Sequence, residues 1–196
     1  MGEGKNPYAR ADRFTKEAKA AGFAARSVFK LDAIQKRFRL LRPGQRVVDL
    51  GCSPGSWAQF AMVMVGKSGR VVGVDVEPPE VGGFTFLHAS ALDVDLDTLQ
   101  QSLGGPADVV LSDMAPRTTG DVDGDHLRQI ELAERALEVA VGLQSPWLVC
   151  KVFDGIDAPP FVERVRRALG AVDRVRPDAV RKNSREFFVV GHPKRP

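Results

Sequence analysis

The stretch that decides the fold is RVVDLGCSPGSWAQF, residues 46–60, in which an apolar run, a glycine loop and a second apolar run follow one another. RVVDL (46–50) predicts a short strand buried on both faces, and the residues from Ser56 onward predict a helix. Gly51 and Gly55 in the loop allow the backbone to come close to a ligand. Their G-x-x-x-G spacing lacks the dinucleotide fingerprint G-x-G-x-x-G and the Lys-Ser/Thr ending of a Walker loop. The loop therefore fits either a mononucleotide site or a plain tight turn.

Strands and helices continue to alternate after this stretch. The predicted strands cover residues 46–50, 70–75, 84–88, 107–113, 147–153, 171–176 and 186–192. The predicted helices cover residues 24–40, 56–66, 95–103, 126–143 and 160–169. This alternation predicts an α/β fold with a doubly wound, mostly parallel sheet and an N-terminal helix before it. The last two strands are joined by too few residues for a helix, so we expect an antiparallel pair at the sheet edge.

The chain length fits one domain over residues 1–196, with residues 1–22 as a basic, weakly ordered arm. The longest stretch without a predicted element runs from Met114 to Asp125. It follows the carboxyl end of a strand, which is where open α/β sheets carry their ligand loops.

Charge is distributed unevenly along the chain. Residues 1–46 contain twelve Lys/Arg against four Asp/Glu, and residues 164–196 contain ten against three. Residues 47–163 contain six against eighteen. If the fold brings the two ends together, they form a basic surface that attracts phosphate groups without reading sequence. The alternative is a solvated basic arm and a solvated tail.

Several classes of protein are disfavoured. No apolar stretch is long enough to cross a bilayer, and the N-terminus MGEGKNPYAR lacks the apolar core of a secretory signal, so we expect a cytoplasmic protein. Cys52 and Cys150 have no metal-site spacing and are expected to be reduced, partly buried thiols. His88, His126 and His192 show no ligand pattern, so no metal site is predicted.

Four charged residues lie at the ends or edges of predicted elements: Lys30 in SVFKLDAIQ, Asp113 in ADVVLSD, Lys151 in WLVCK and Glu186 in EFFVV. A parallel sheet would bring the last three to one edge. Two lysines and two carboxylates beside a glycine loop suit attack on a hydroxyl by a group held in a nucleotide-like cofactor. Taken singly, each also fits a solvated charge or a turn cap.

Asp75 and Trp57 are candidates for holding the ligand. Asp75 ends the second strand, where a carboxylate can accept two ribose hydroxyls, although it also fits a turn cap. Trp57 opens the helix after the glycine loop and fits either packing on a ligand or a place in the core.

The motifs together resemble a known family. RSVFKLDAIQ, DLGCSPGSW, VDVEP, SDMAP, KVF and SREFFVV stand in the order and at the approximate spacing found in the FtsJ/RlmE family of S-adenosylmethionine-dependent RNA 2′-O-methyltransferases. The resemblance runs from about residue 14 to about residue 190. It implies the class I methyltransferase (Rossmann-like) variant of the doubly wound fold, with one antiparallel edge strand. It also implies S-adenosyl-L-methionine as the cofactor.

Cofactor contacts follow from the resemblance. It implies that Gly51 and Gly55 line the methionine part, that Trp57 flanks it and that Asp75 holds the ribose. The family usually has an acidic residue near the adenine, but this chain has Ala89-Ser90 there. We favour Ser90 as the adenine contact, with Asp93 as the alternative acid.

Catalytic roles are carried over in the same way. Lys151 is expected to accept the proton of the ribose hydroxyl or to orient it, and Lys30 to hold the substrate ribose or phosphate. Asp113 is expected to orient Lys151 and to lie near the cofactor methyl, and Glu186 to anchor the lysine pair. Phe188 stands where many relatives have Tyr, so any hydrogen bond from that phenol is absent here.

An RNA substrate fits the basic ends. The residues expected to follow the backbone are Lys5, Arg10, Arg13, Lys16 and Lys19 near the N-terminus, and Arg181, Lys182 and Arg185 beside Glu186. SDMAP resembles the large-subunit rRNA branch of the family, which implies methylation of a uridine 2′-hydroxyl in 23S rRNA, free or in the assembled 50S subunit. No surplus apolar stripe in the sequence indicates a dimer, so we expect a monomer.

Three rival functions stay open. Within the family, tRNA is the nearest alternative substrate. A second alternative is a non-catalytic RNA-binding protein of ribosome assembly. A nicotinamide-dependent oxidoreductase is disfavoured because the dinucleotide fingerprint is missing and because the only tyrosine, Tyr8, forms no Tyr-x-x-x-Lys pair.

Overall fold

The computed structural model describes residues 15–117, 119–181 and 184–194. They form one seven-stranded sheet in the order β3-β2-β1-β4-β5-β7-β6. The strands are β1 (Arg46–Leu50), β2 (Arg70–Asp75), β3 (Thr85–His88), β4 (Val109–Ser112), β5 (Trp147–Phe153), β6 (Ala171–Val175) and β7 (Glu186–His192). β1 to β5 pair in parallel, while β7 runs antiparallel to both β5 and β6. The doubly wound, mostly parallel sheet with an antiparallel edge is confirmed, and β7 lies one place inside β6.

The described residues contain six helices beside the sheet. They are α1 (residues 15–20), α2 (Val28–Phe38), α3 (Ser56–Val65), α4 (Leu96–Leu103), α5 (Val122–Gly142) and α6 (Ala158–Leu169). Residues of α2 and α3 share one hydrophobic core with the sheet, and residues of α4, α5 and α6 share the other. Successive side chains of a strand point to opposite faces of the sheet. In β1, Val47 belongs to the core shared with α2 and α3, whereas Val48 and Leu50 belong to the core shared with α4, α5 and α6. Both faces are therefore covered, as the continuous apolar strands predict.

The strand order reverses between β1 and β4. β2 follows β1 on one side of it, and β4 pairs with β1 on the other side. Ligands of open α/β sheets bind in the crevice outside the carboxyl ends of the strands at such a switch point. The glycine loop after β1 and Asp113 after β4 both lie there.

The N-terminal segment differs in part from the expected loose arm. Residues 15–20 are helical, and Ala18 is fully buried. Phe23 packs on Phe60 of α3 with 6.2 Å between ring centroids, and the Gln59 side chain donates a hydrogen bond to the carbonyl of Gly22. Small and aromatic residues thus attach residues 15–23 to the folded body. Lys5, Arg10 and Arg13 lie outside the described residues.

The helix after β4 begins earlier than predicted. α5 starts at Val122 rather than at His126, so the loop expected over residues 114–125 ends at Asp121. The first turn, VDGD, has no apolar periodicity, which is why the sequence pattern misses it. Its acidic residues Asp123 and Asp125 suit the positive end of the helix dipole.

Candidate active site

Four charged side chains from four separate elements meet at the carboxyl end of the sheet. Lys30 Nζ lies 2.8 Å from Glu186 Oε1 and 3.5 Å from Asp113 Oδ1. Lys151 Nζ lies 2.8 Å from the same Asp113 oxygen and donates a 2.6 Å hydrogen bond to the Asp113 carbonyl. All four side chains are between 7% and 16% exposed. The structure therefore brings together the four residues that the sequence singles out.

Strand register explains this convergence. Lys151 is opposite Phe188, and Phe153 is opposite Glu186. Because β7 is antiparallel to β5, its first residue lies beside the carboxyl end of β5. Asp113 follows β4 directly, so it reaches the same edge from the other side of β5. Lys30 comes from α2, which covers this face of the sheet.

Charge pairing makes the burial of these groups tolerable. Isolated charges are costly to remove from water, and they are normally buried only with partners. Here two ammonium groups alternate with two carboxylates, so the cluster is close to neutral. Lys30 Nζ also lies 5.6 Å from the centre of the Phe188 ring, within the range of a cation–π contact.

Asp49 is a residue of this region that the sequence analysis missed. It lies in β1 beneath α3, is completely buried, and neither of its carboxylate oxygens accepts a hydrogen bond of normal geometry from the described residues. Burial raises the pKa of Asp49 well above its usual value, and the Asp113 carboxylate raises it further, while the Ala58 N–H has a weaker, opposing effect. Burial thus favours the protonated form of Asp49, which lies one strand away from the charged cluster. An aspartate inside the apolar run VVDL is the signal that could have identified it.

Gln129 is the second residue missed. It lies on α5, is 1% exposed, and donates hydrogen bonds to the carbonyls of Lys151 (2.9 Å) and Met114 (3.3 Å). A polar residue at a buried position of an amphipathic helix is the pattern that could have indicated it.

The glycine loop has the backbone that the motif predicts. Gly51 and Gly55 have φ angles of 74° and 113°, which favour glycine. A Cβ at Gly51 would collide with Met114, and one at Gly55 would collide with Val81. These glycines therefore keep the loop close to the segments that follow β4 and β2.

Asp75 lies where a ribose contact is expected, and it also shapes the turn. Its two carboxylate oxygens accept 2.9 Å hydrogen bonds from the backbone N–H groups of Ser53 and Glu77. The turn-cap role is therefore present. Each oxygen of a carboxylate has a second lone pair, so Asp75 keeps capacity for ribose hydroxyls.

Trp57 lies in the core rather than in an open pocket. It is 3% exposed, its ring centroid is 5.7 Å from that of Phe188, and its indole N–H donates to the carbonyl of Ser27 at 2.8 Å. The core alternative thus describes its ring, and the expected place of Trp57 beside the cofactor stays a prediction.

The adenine candidates lie in the turn after β3. Ser90 is half-buried and its hydroxyl accepts a hydrogen bond from the Leu92 N–H, whereas Asp93 is exposed. The neighbouring Ala89 N–H donates to the carbonyl of Asp75. Ser90 is therefore next to a residue that is tied to the ribose candidate, and the choice of Ser90 stays a prediction.

The remaining titratable candidates form no metal centre in the part of the chain that the structure describes. Cys52 and Cys150 are free and buried, and burial raises the pKa of Cys52 and raises that of Cys150 to about 12. His126 is buried beside Asp157, and His192 is buried beside Asp173.

Among residues 15–117, 119–181 and 184–194, no helix is both long and apolar enough to cross a membrane.

A doubly wound sheet with an antiparallel β7, a glycine loop after β1 and an acid at the end of β2 defines the class I methyltransferase fold. A solved structure described as a ribosomal RNA methyltransferase from Plasmodium falciparum has this fold, with a TM-score of 0.72 at 19% identity over 87% of this chain and 98% of that chain. The model of the family described as FtsJ-like methyltransferase matches residues 23–194. This chain belongs to the FtsJ-like methyltransferase family.

Curated relatives with the name Ribosomal RNA large subunit methyltransferase E are similar over nearly the whole chain. The protein of Desulfatibacillum aliphaticivorans is 43% identical over 98% of this chain and 94% of its own length. That of Sorangium cellulosum is 44% identical over 95% of this chain and 90% of its own length. That of Bdellovibrio bacteriovorus is 42% identical over 92% of this chain and 95% of its own length.

Proposed function

We propose that this protein transfers the methyl group of S-adenosyl-L-methionine to the ribose 2′-hydroxyl of a uridine in large-subunit (23S) rRNA. The observation that carries the proposal is the buried cluster of Lys30, Asp113, Lys151 and Glu186 beside the glycine loop. The names of the relatives support large-subunit rRNA as the substrate.

The residues at the switch point fit the cofactor. Gly51 and Gly55 would line its methionine part, Asp75 would hold its ribose through unused lone pairs, and Ser90 would contact its adenine. Asp113 would place a carboxylate near the positively charged sulfur. When bound, the cofactor supplies a methyl group on a cationic leaving group, which is the difficult part of the chemistry.

Lys151 is the residue that would handle the proton. The ribose oxygen must form a bond to the methyl carbon and must lose its hydrogen as a proton. Lys151 donates one hydrogen bond to the Asp113 carbonyl, and its Nζ lies 2.8 Å from Asp113 Oδ1, so Asp113 fixes the position of this amine. Held there, the Lys151 amine would accept the proton of the substrate hydroxyl or orient that hydroxyl toward the methyl group.

Lys30 and Glu186 would hold this arrangement in place. Lys30 bridges the two carboxylates, so it ties Glu186 to the same Asp113 oxygen that Lys151 contacts. It would also hold the ribose or phosphate of the target nucleotide. Holding the hydroxyl in line with the methyl group is itself worth about 7–11 kcal/mol in favourable cases.

Basic residues beside the cluster support an RNA substrate. Partial burial and the Arg181 guanidinium lower the pKa of Arg26, whereas Glu186 raises it, so Arg181 and Glu186 both lie within electrostatic reach of Arg26. Two cations beside the cluster would attract the phosphates that flank the target ribose. Lys16 and Lys19 on α1 are exposed and extend the basic surface, and Lys182 lies outside the described residues.

A methyl-mapping experiment tests this function. The purified protein is incubated with S-adenosyl-L-methionine carrying a labelled methyl group, and separately with 23S rRNA, 50S subunits and tRNA from cells that lack this modification. We expect label at one uridine 2′-oxygen of 23S rRNA. Label in a base or only in tRNA would overturn the assignment, and RNA binding without label would favour a non-catalytic assembly protein. Tight binding of NAD in preference to S-adenosyl-L-methionine would favour an oxidoreductase.

The form and place of the enzyme are part of the same proposal. We expect a monomer that acts in the cytoplasm. Light scattering of the purified protein at micromolar concentration would give the mass of one chain if the enzyme is monomeric, and twice that mass would contradict this expectation.

A further inference from the structure

Gln129 connects the two strands that carry Asp113 and Lys151. Its side-chain nitrogen donates one hydrogen bond to the carbonyl of Lys151 at 2.9 Å and another to the carbonyl of Met114 at 3.3 Å. A primary amide has two N–H donors, so each carbonyl receives one. The side chain is 1% exposed, and its oxygen has no hydrogen-bond partner among the described residues.

This bridge begins where the β4–β5 ladder ends. The last paired residues of these strands are Ser112 and Cys150, so the next residues have no ladder partner across the gap. On its other side, β5 remains paired with β7 as far as Phe153 and Glu186. The Gln129 amide thus replaces the cross-strand bonds that are missing next to Lys151.

We infer that Gln129 is a positioning residue for the Lys151–Asp113 pair, an inference that rests on the proposed function. It touches neither charged group and acts on the backbone carbonyls on both sides of the pair. α5 belongs to the core on the face of the sheet opposite to α2, which carries Lys30. The pair is therefore held from one face by Lys30 and from the other by Gln129.

A glutamine suits this position for chemical reasons. Glutamate in its charged form has no donor and would place a negative charge against two carbonyl oxygens. Methionine has a similar length but no donor, so both carbonyls would lose the amide bond and the Lys151 carbonyl would keep only the weak Cys150 thiol contact at 3.4 Å. Asparagine keeps the amide but is one methylene shorter, so it would reach at most one of the two carbonyls.

The test compares Gln129→Met with Gln35→Met as a matched control. Gln35 is also buried, and its side chain also makes two hydrogen bonds to the backbone, both to Leu41 in the segment that follows α2. Loss of position at a reacting group costs up to about a hundredfold in rate. We expect kcat of Gln129→Met to fall about ten- to a hundredfold with KM for rRNA and Kd for S-adenosylhomocysteine unchanged. Gln35→Met should lose similar stability but retain kcat.

Two further readouts keep the inference testable. Gln129→Asn should have a kcat between those of the wild type and Gln129→Met. Amide hydrogen exchange at residues 113–115 and 151–153 should be faster in Gln129→Met than in the wild type, and this readout does not require activity. If Gln129→Met and Gln35→Met have equal kcat and equal exchange, the inference is wrong. A wild-type protein that binds the cofactor but methylates no RNA would instead refute the proposed function.

Discussion

Lys30 and Glu186 form a 2.8 Å ion pair although Lys30 lies on α2, before the first strand, and Glu186 opens the last strand. Because Lys30 Nζ also lies 3.5 Å from Asp113 Oδ1, the pair joins Glu186 to the rest of the charged cluster. It exists because β7 inserts antiparallel between β5 and β6 and so places its first residue at the carboxyl end of β5. The antiparallel strand is therefore part of how this fold builds its site.

Replacement of Glu186 by Gln should weaken catalysis more than folding. The change removes the charge that anchors Lys30, and hydrogen bonds to charged groups contribute about 1.5–3 kcal/mol. We expect a single-turnover methylation rate about ten- to a hundredfold lower, with cofactor affinity retained. Glu163→Gln is the control, because Glu163 pairs with Arg166 and Arg167 on the exposed side of α6. Equal rates for the two variants would contradict the role of Glu186.

Asp49 should make the stability of the free protein depend on pH. Its pKa is raised by burial, so between the unfolded value near 4 and the folded value the native state holds a proton that the unfolded chain has lost. The free energy of unfolding therefore decreases as pH rises through that window. Asp49→Asn removes this effect, so its stability relative to the wild type should increase from pH 5 to pH 8 in urea titrations. An identical difference at both pH values would show that Asp49 is ionised in the native state.

Loss of the Phe188 ring should affect both the core and the site. Phe188 is fully buried against Trp57 and beneath Lys30. Phe188→Ala should lower the free energy of unfolding by about 3–5 kcal/mol. It should also lower the methylation rate, because the Lys30 ammonium group loses its contact with the Phe188 ring. Phe161→Ala, in the core on the other face, should cost similar stability without the loss of rate measured on the folded fraction. A rate loss of the same size in Phe161→Ala would refute the specific role.

Asp125 should control the loop between β4 and α5. Its carboxylate accepts hydrogen bonds from the N–H groups of Thr119 and Gly120 and from Arg128, and these contacts, Thr119 first, lower its pKa. Their contribution is present above pH 4 and is lost as pH falls through the folded pKa. Asp125→Asn should speed hydrogen exchange at residues 119–121 and raise KM for rRNA.

A matched control isolates that effect. Asp95→Asn removes a similar cap from α4, where Asp95 accepts hydrogen bonds from the Thr98 N–H and hydroxyl. It should leave KM unchanged. A KM for Asp125→Asn that equals that of Asp95→Asn would show that the loop does not bear on substrate binding.

Much of the fold follows from local sequence patterns. β1, β2, β5 and β7 begin and end at the predicted residues, since each is an apolar, β-branched run bounded by polar or glycine residues. The apolar pattern does not predict that α5 begins at Val122, because the first turn of this helix is polar. Its helical state depends on capping and dipole effects that hydrophobic periodicity does not report.

The site was harder to predict, because its contacts are long-range. The positions of Lys30 and Lys151 in the sequence do not show whether the two side chains lie close together. Only the resemblance to a known family predicts that they belong to one site. Asp49 stands in the motif DLGCSPGSW without a role of its own, Gln129 belongs to no motif, and the importance of both comes from burial. A polar residue at an apolar position is visible in the sequence, but its partners are visible only in the structure.

The most direct test of the central claim is the single-turnover methylation rate of Lys151→Met on 23S rRNA, with the Kd for S-adenosylhomocysteine measured by calorimetry as the control. Loss of a group that accepts or directs the proton predicts a rate about 10²–10⁴-fold lower with an unchanged Kd. A rate within a few-fold of the wild type would show that Lys151 and the cluster around it do not form the reaction centre.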